Sequence, residues 1–318
     1  MPRPTLFEKE GQPFAEWQLP KAELQKRIGL ATRDARKFSK TLRLRALPRL
    51  PRKELLVLPA KIPASYYLRP WPFYCRIVCP PRYRVRKNQK NLTAAEWARF
   101  IHAIEGLAET GIPAPRYQDF VEIHRLSMDT HPGHAWGAHT MGGHDGRNFL
   151  TWHREYLAKL EAALMTMNPL VTIPYWDWVN DRAIPPQLTA PADLAEWGVI
   201  RGAFSSGSLP TAPTINAVMA NTTFTAFTGA LEGPHGWVHN AFGVNALGVN
   251  ATMRTSTSPK DPVFWLHHAF IDKLWADWEV AHPGANPPNT AETLQPAPIM
   301  TRTVNQVLST QTLGYVYA

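Results

Sequence analysis

The chain has 318 residues, of which 44% are apolar and twelve are tryptophan, so it is long enough to bury a large core. No apolar run approaches the roughly twenty residues of a membrane-spanning helix, and no secretory signal is visible, so we expect no transmembrane segment and a cytoplasmic location. Residues 1–90 hold 22 Lys and Arg against 6 Asp and Glu, a net charge of +16, whereas the remainder holds 12 against 19, a net charge of −7. The sequence therefore predicts a basic arm followed by an acidic body.

The N-terminal segment, residues 1–83, is predicted to be an extended arm rather than a second compact domain. Residues 1–90 contain twelve of the thirty prolines, and only residues 21–40 have the composition of a basic helix. No RNP, zinc-finger or helix-turn-helix signature accompanies the positive charge, so we expect no nucleic-acid binding. Docking of the arm onto the acidic body of the same chain, or formation of a homo-oligomer, accounts for its charge more simply.

Cys75 and Cys79 form a C-x3-C pair within this arm. A structural zinc site would need two further ligands nearby, and the segment offers none. The sequence therefore predicts two free thiols or one local disulfide.

Helical periodicity begins where the arm ends and continues through three segments. Thr93 and Glu96 form a capping box, which predicts that a helix begins directly after it. A second helix is predicted over residues 117–128, with His124 on its apolar face. A third helix begins near Trp152 and ends before an Asn-Pro pair.

The second half of the chain is predicted to contain long loops and two helices. Residues 180–230 are rich in Pro, Ala, Thr and Ser, a composition typical of loops. A short helix is predicted over residues 234–242, and the last strong helix begins at Asp261, with Pro262 in its first turn. The chain is therefore expected to be mainly α, with four core helices and long loops.

Several histidines occur in apolar, aromatic surroundings, where an imidazole is costly to bury without a partner. His235 and His239 are four residues apart, so on a helix both rings point from one face and suit a shared metal. His268 and Asp272 have the same spacing, which predicts that the carboxylate holds the second nitrogen of this imidazole. His267 lies about 100° around the helix, so only His268 is expected to face the metal.

Two other histidines are candidates for a second set of ligands. His144 and His153 are nine residues apart, so if His153 lies on the third helix, His144 comes from the glycine-rich loop before it. Five further histidines are predicted to be structural or exposed: His102, His131, His134, His139 and His282. From these residues alone, a mononuclear zinc hydrolase built on His235 and His239 remains an alternative to a copper site.

Two long segments resemble the copper signatures of the tyrosinase, catechol oxidase and haemocyanin family. The first is His144-x4-Phe149-Leu150-Thr151-Trp152-His153-Arg154-x2-Leu157-x3-Glu161, and the second is Asp261-Pro262-x-Phe264-Trp265-x2-His268-x3-Asp272. The similarity extends as far as Tyr315 and implies a catalytic domain over residues 84–318. Its fold would be mainly α, a four-helix bundle core that holds a dinuclear type-3 copper site.

The resemblance also implies the ligands and the reaction. The first copper ion would be bound by His124, His144 and His153, and the second by His235, His239 and His268. With O2 as co-substrate, such a site oxidises o-diphenols to o-quinones, and in tyrosinases it also hydroxylates monophenols. The expected partner is a small phenolic substrate. An o-aminophenol oxidase of a biosynthetic pathway and a haemocyanin-like oxygen-binding protein are the alternatives.

Four positions bear on the chemistry of the site. Gly142 stands where plant and fungal members often carry a cysteine linked to a histidine, so this link should be absent. Gly236 stands where many tyrosinases have an asparagine after the first ligand of the second copper, while Asn240 follows the next ligand. Glu232 resembles the glutamate that is proposed to hold a water for phenol deprotonation, or it is a helix-start carboxylate favoured by the macrodipole. We therefore expect diphenol oxidation to exceed monophenol hydroxylation.

Overall fold

The computed structural model describes residues 83–109, 115–140 and 145–318. The predictions for the basic arm, including the helix over residues 21–40 and the pair Cys75 and Cys79, lie outside these residues. Gly142 and His144 lie outside them as well. Among the residues described, no helix is both long and apolar enough to cross a membrane.

Seven α-helices and one small parallel sheet form the regular structure of the described residues, so the predicted mainly α class is confirmed. Strand β1 (Arg84–Arg86) pairs in parallel with strand β2 (Tyr315–Tyr317), with Arg84 opposite Tyr315. The helices are, in chain order, α1 (Ala94–Ala108), α2 (Tyr117–Ser127), α3 (Phe149–Met167), α4 (Pro191–Glu196), α5 (Ala212–Met219), α6 (Phe224–Asn240) and α7 (Val263–Ala281).

The start of α1 agrees with the sequence prediction. The Thr93 hydroxyl accepts a hydrogen bond from the Glu96 N–H at 3.2 Å, and the Glu96 carboxylate accepts one from the Thr93 N–H at 2.8 Å. This capping box satisfies N–H groups that a helix start would otherwise leave without a partner. Trp97, Phe100 and Ile104 then bury one face of α1, which packs against α3.

Helix α6 differs from the prediction, because it begins at Phe224 rather than near Pro234. The Thr223 hydroxyl caps it by accepting from a backbone N–H of the first turn at 3.3 Å. Pro234 therefore lies inside the helix, where it removes one backbone hydrogen bond. Burial of Leu231 and its apolar neighbours offsets that loss. The predicted loop region, residues 180–230, also contains the short helices α4 and α5.

Helices α3 and α7 form the centre of the described fold. Each has 19 residues, and α3 begins at Phe149, slightly earlier than predicted. Both helices bury side chains on nearly all sides, including Trp152 and Tyr156 on α3 and Trp265 on α7. A helix that is apolar all round must be surrounded by other elements. Histidines on α3 and α7 are therefore buried in packed core.

One buried carboxylate, Asp272 on α7, ties together β1, α3, α7 and β2. It accepts hydrogen bonds from Arg154 on α3, from Arg86 on β1 at 3.3 Å, and from the Tyr315 and Tyr317 hydroxyls on β2. Burial raises the pKa of Asp272, but the guanidinium groups of Arg154 and Arg86 outweigh burial, and the pKa lies below its ordinary value. The carboxylate is therefore ionised at neutral pH.

A second buried carboxylate, Glu161 on α3, extends this network. It accepts hydrogen bonds from Arg86 Nε and Arg84 Nε, both at 3.1 Å, and from the Ile173 N–H at 3.0 Å. Arg86 thus lies between two carboxylates with its side chain fully buried. A buried charge is tolerated only when it is paired and hydrogen-bonded, so these contacts hold β1 to the two central helices.

Candidate metal centre

Seven histidines of the described residues form two groups in the core. Within each group, the ring nitrogens that could bind a metal lie within 4.8 Å of one another. The first group takes one residue each from α2, from the loop before α3 and from α3: His124, His139 and His153. The second takes two residues from α6 and two from α7: His235, His239, His267 and His268.

His124 and His153 are held in the form that binds a metal through Nε2. His124 Nδ1 lies 2.7 Å from the Ser256 carbonyl oxygen, and His153 Nδ1 lies 2.7 Å from that of Phe149. Because a carbonyl oxygen only accepts, Nδ1 donates in both rings and Nε2 keeps its lone pair. Both Nε2 atoms are buried and have no hydrogen-bond partner among the described residues. Such converging acceptor nitrogens suit a bound cation.

The third member of the first group is His139, which the sequence did not single out as a ligand. The sequence predicts a structural or exposed histidine, but the residue is only 3% exposed. Its ring centroid lies 4.9 Å from that of His124 and 4.8 Å from that of His153. The structure therefore excludes exposure and leaves the structural alternative, because the loop before α3 folds inward, which spacing along the chain does not reveal. His144, the ligand implied by the resemblance, lies outside the described residues.

The loop that carries His139 is closed at its base. The Asn148 N–H donates to the Gly137 carbonyl oxygen at 2.8 Å. Gly137 has a backbone φ of 68°, which residues other than glycine rarely adopt. Trp136 and Ala138 are buried on either side of this glycine. This apolar run beside a histidine is the sequence signal that indicates a buried His139.

Three Nε2 atoms converge in the second group. His239 Nε2 lies 3.0 Å from His235 Nε2, which lies 3.3 Å from His268 Nε2. His239 Nδ1 donates to the Met253 carbonyl oxygen at 2.6 Å, so its Nε2 keeps the lone pair. The four-residue spacing on α6 therefore brings both rings to one face, as the periodicity predicts.

His267 and His268 are adjacent on α7, but their hydrogen bonds differ. Trp178 Nε1 donates to His267 Nδ1 at 3.0 Å, so a neutral His267 carries its proton on Nε2 and has no lone pair there. This bond favours His268 as the ligand.

The predicted bond between Asp272 and His268 is wrong. His268 Nδ1 has no hydrogen-bond partner among the described residues. Asp272 instead contacts two guanidinium groups and two tyrosine hydroxyls. The two guanidinium groups carry full positive charges and attract the carboxylate more strongly than a neutral imidazole N–H does, so they hold it away from the ring.

Burial favours the neutral form of five imidazoles in the two groups. Desolvation lowers the pKa of His124 to about 3 and that of His239 to about 4. Desolvation and neighbouring histidines also hold the pKa values of His153, His235 and His268 well below the ordinary range. Because a metal binds the neutral imidazole, these five histidines are in the binding form at neutral pH.

The two histidine groups adjoin where α3 meets α7. The rings of His153 and His268, one from each group, stack with centroids 4.2 Å apart and an interplanar angle of 13°. Phe264 on α7 touches both groups, with its centroid 4.9 Å from that of His124 and 4.1 Å from that of His268. All the candidate donors are imidazole nitrogens and none is a thiolate, a set that suits two neighbouring copper ions.

The three residues predicted to govern substrate choice all lie on α6. A Cβ added to Gly236 would meet no atom within 4 Å, so a larger residue fits there. Asn240 is exposed and accepts a hydrogen bond from Arg254 Nε at 3.3 Å. Glu232 accepts two hydrogen bonds from Thr140, from its N–H and its hydroxyl, each at 2.9 Å. Glu232 is in the middle of α6, so its interpretation as a helix-start carboxylate is wrong.

Known proteins resemble this chain in sequence and in fold. The family model described as the common central domain of tyrosinase matches residues 114–203 and 202–281. A tyrosinase of Streptomyces antibioticus is 35% identical, over 67% of this chain and 92% of its own length. The grixazone synthase of Streptomyces griseus is 27% identical, over 63% of this chain and 85% of its own length. A functional unit of octopus haemocyanin shares the fold, with a TM-score of 0.55 and 21% identity over 73% of this chain and 67% of its own.

Proposed function

Because the chain belongs to the tyrosinase family of type-3 copper proteins and is a polyphenol oxidase, we propose that it uses O2 to oxidise o-diphenols to o-quinones at a pair of copper ions. The observation that carries the proposal is the contact between the two histidine groups, where His153 and His268 stack at 4.2 Å. Groups this close to each other would hold two copper ions side by side, and such a pair would supply the electrons that reduce O2. Overall, two diphenols give up four electrons and four protons, and one O2 is reduced to two waters.

We assign three imidazoles to each copper ion. One ion would be held by the Nε2 atoms that converge between α6 and α7, those of His235, His239 and His268. The other would be held by the first group, His124, His139 and His153. When bound, the copper pair supplies the one-electron redox chemistry that transfers electrons from the phenol to O2.

The chain's own residues orient the site and keep it dry. Backbone carbonyls of Phe149, Met253 and Ser256 accept the Nδ1–H bonds that fix the ring planes of three ligands. Of the six assigned ligands, His239 alone is partly exposed. A phenol therefore approaches from the side of His239, where the exposed Asn240 is its neighbour on α6.

Copper loading of the purified chain tests the proposal. We expect two copper ions per chain, one for each histidine group, and copper-dependent consumption of O2 when catechol is added. Binding of O2 without oxidation of catechol would indicate a haemocyanin-like protein. Faster turnover of o-aminophenol than of catechol would indicate an o-aminophenol oxidase. A single zinc ion per chain would indicate a mononuclear hydrolase.

The variant Gly236→Asn should raise activity on monophenols relative to diphenols. The natural chain has no side chain at this position, so we propose that diphenol oxidation is its stronger activity. The added amide has room, since no atom lies within 4 Å of a Cβ there, and its oxygen would accept a hydrogen bond beside His235. We expect the ratio of tyrosine to catechol turnover to rise about 10- to 100-fold. A positioned general base accelerates a reaction by at least about 100-fold, and an amide that only accepts a hydrogen bond should not exceed that.

Gly233→Asn is the matched control for this substitution. Gly233 lies about one turn earlier on α6, is exposed and has equally open surroundings. Both substitutions change helix propensity in the same direction, so stability differences cancel in the comparison. The turnover ratio should keep its wild-type value in Gly233→Asn. An unchanged ratio in Gly236→Asn, or wild-type turnover of tyrosine as fast as that of catechol, would contradict the proposal.

A further inference from the structure

A pair of hydrogen bonds between Glu232 and Thr140 links the two histidine groups. Glu232 Oε1 accepts from the Thr140 N–H and from the Thr140 hydroxyl, each at 2.9 Å. Thr140 directly follows His139 in the chain, and Glu232 lies one turn before His235 on α6. The backbone that carries a histidine of the first group is thus attached to the helix that carries two histidines of the second.

The chain that returns toward α3 packs onto this pair at Gly146. Gly146 has a φ of 62°, and a Cβ there would lie 2.7 Å from Thr140 Cγ2 and 3.2 Å from the second carboxylate oxygen of Glu232. The base of the same loop is closed by the hydrogen bond from Asn148 to Gly137. Thr140 is therefore held from two sides, by the returning chain and by Glu232.

We propose that Glu232 is a positioning residue, which fixes the His139 loop against α6 and thereby sets the spacing of the two metal sites. This inference rests on the proposed copper function. Both donors of Thr140 are uncharged, so what Glu232 contributes is an acceptor oxygen rather than a negative charge. The amide oxygen of a glutamine accepts the same two bonds. A carboxylate that holds a water or accepts a phenolic proton would instead depend on its charge.

The variants Glu232→Gln and Glu232→Ala separate these two roles. Copper affinity of the full chain would be measured by competition with a chelator, and exchange of the Thr140 amide hydrogen by NMR. In Glu232→Gln, both quantities should match the wild type. In Glu232→Ala, affinity for the first copper should fall about 10- to 100-fold, the usual effect of losing a bond that orients a ligand, and the amide should exchange faster.

Two further variants complete the experiment. Thr140→Val keeps the N–H bond and the branched shape but removes the hydroxyl bond, so its copper affinity should lie between those of the wild type and Glu232→Ala. Glu196→Ala, on the exposed surface of α4, is the control and should match the wild type. A loss in Glu232→Gln as large as that in Glu232→Ala would overturn the inference, as would wild-type affinity in Glu232→Ala. A wild-type chain that binds two coppers but leaves catechol unoxidised would overturn only the proposed function.

Discussion

His139→Gln is expected to lose the copper of the first group and to lower catechol oxidation more than about a hundredfold. This loss exceeds the effect of about 10- to 100-fold that is usual when a residue that only orients a metal ligand is changed. The reason is that His139 lies with His124 and His153, all three with ligand nitrogens within 4.8 Å of one another. Without it, two imidazoles of the described residues remain to hold this ion. Copper per chain would be measured after dialysis against a weak chelator, and catechol oxidation by O2 uptake.

The same change at His144 is the informative comparison. The resemblance implies His144 as a ligand, nine residues before His153, and among the described residues the structure brings His139 to the group. If His139 supplies the third imidazole, His144→Gln retains the copper of the first group. The reverse pattern, with copper lost in His144→Gln and kept in His139→Gln, would assign the ligand to His144. His102→Gln controls for the loss of an exposed histidine, because this side chain on α1 is 78% exposed.

Asp272→Asn should destabilise the metal-free chain by about 3 to 5 kcal/mol, the usual effect of removing one partner from a buried ion pair. Arg86 and Arg154 would stay buried beside a neutral side chain, which cannot accept from all the donors that now surround the carboxylate. The free energy of unfolding would be measured by urea titration, followed by tryptophan fluorescence.

Asp277→Asn provides the matched control on the same helix. Asp277 is about half exposed and pairs with Lys273 at 2.6 Å. An exposed pair of this kind contributes less than about 1 kcal/mol, because water screens both charges. Equal losses of stability in Asp272→Asn and Asp277→Asn would show that the buried network does not contribute as proposed.

Local patterns in the sequence predict the parts of the site that depend on local geometry. The four-residue spacing of His235 and His239 brings their rings to one face of α6, and Thr93 and Glu96 cap α1 as expected. Such features require only the period of the helix and the first few residues of its start. The start of α6 is harder to predict, because Pro234 resembles a first-turn residue and only the burial of the preceding turns shows that the helix has already begun.

Other features depend on residues that are distant in the chain. His139 is buried because its loop folds back onto α3 and is attached to Glu232, 92 residues after Thr140. Asp272 has the correct spacing to hold His268, yet Arg86 and Tyr315 reach it from far along the chain. The apolar residues beside His139 indicate burial but not which groups it meets, and no local pattern shows that Arg86 and Tyr315 rather than His268 bind Asp272.

The pairing of β1 with β2 has a consequence for the moment at which copper can be acquired. Arg86 and Tyr317 are 231 residues apart, yet they bond directly at 3.1 Å and both reach Asp272 between the central helices. Contacts so distant along the chain form late, after the local helices. While residues 315–317 are still on the ribosome, Asp272 and Arg86 lack the hydrogen bonds that they form with the tyrosine hydroxyls of β2. The packing that holds the histidines of α3 and α7 in place is therefore completed only after translation has passed this point, which is the earliest moment at which both candidate copper sites are fully formed.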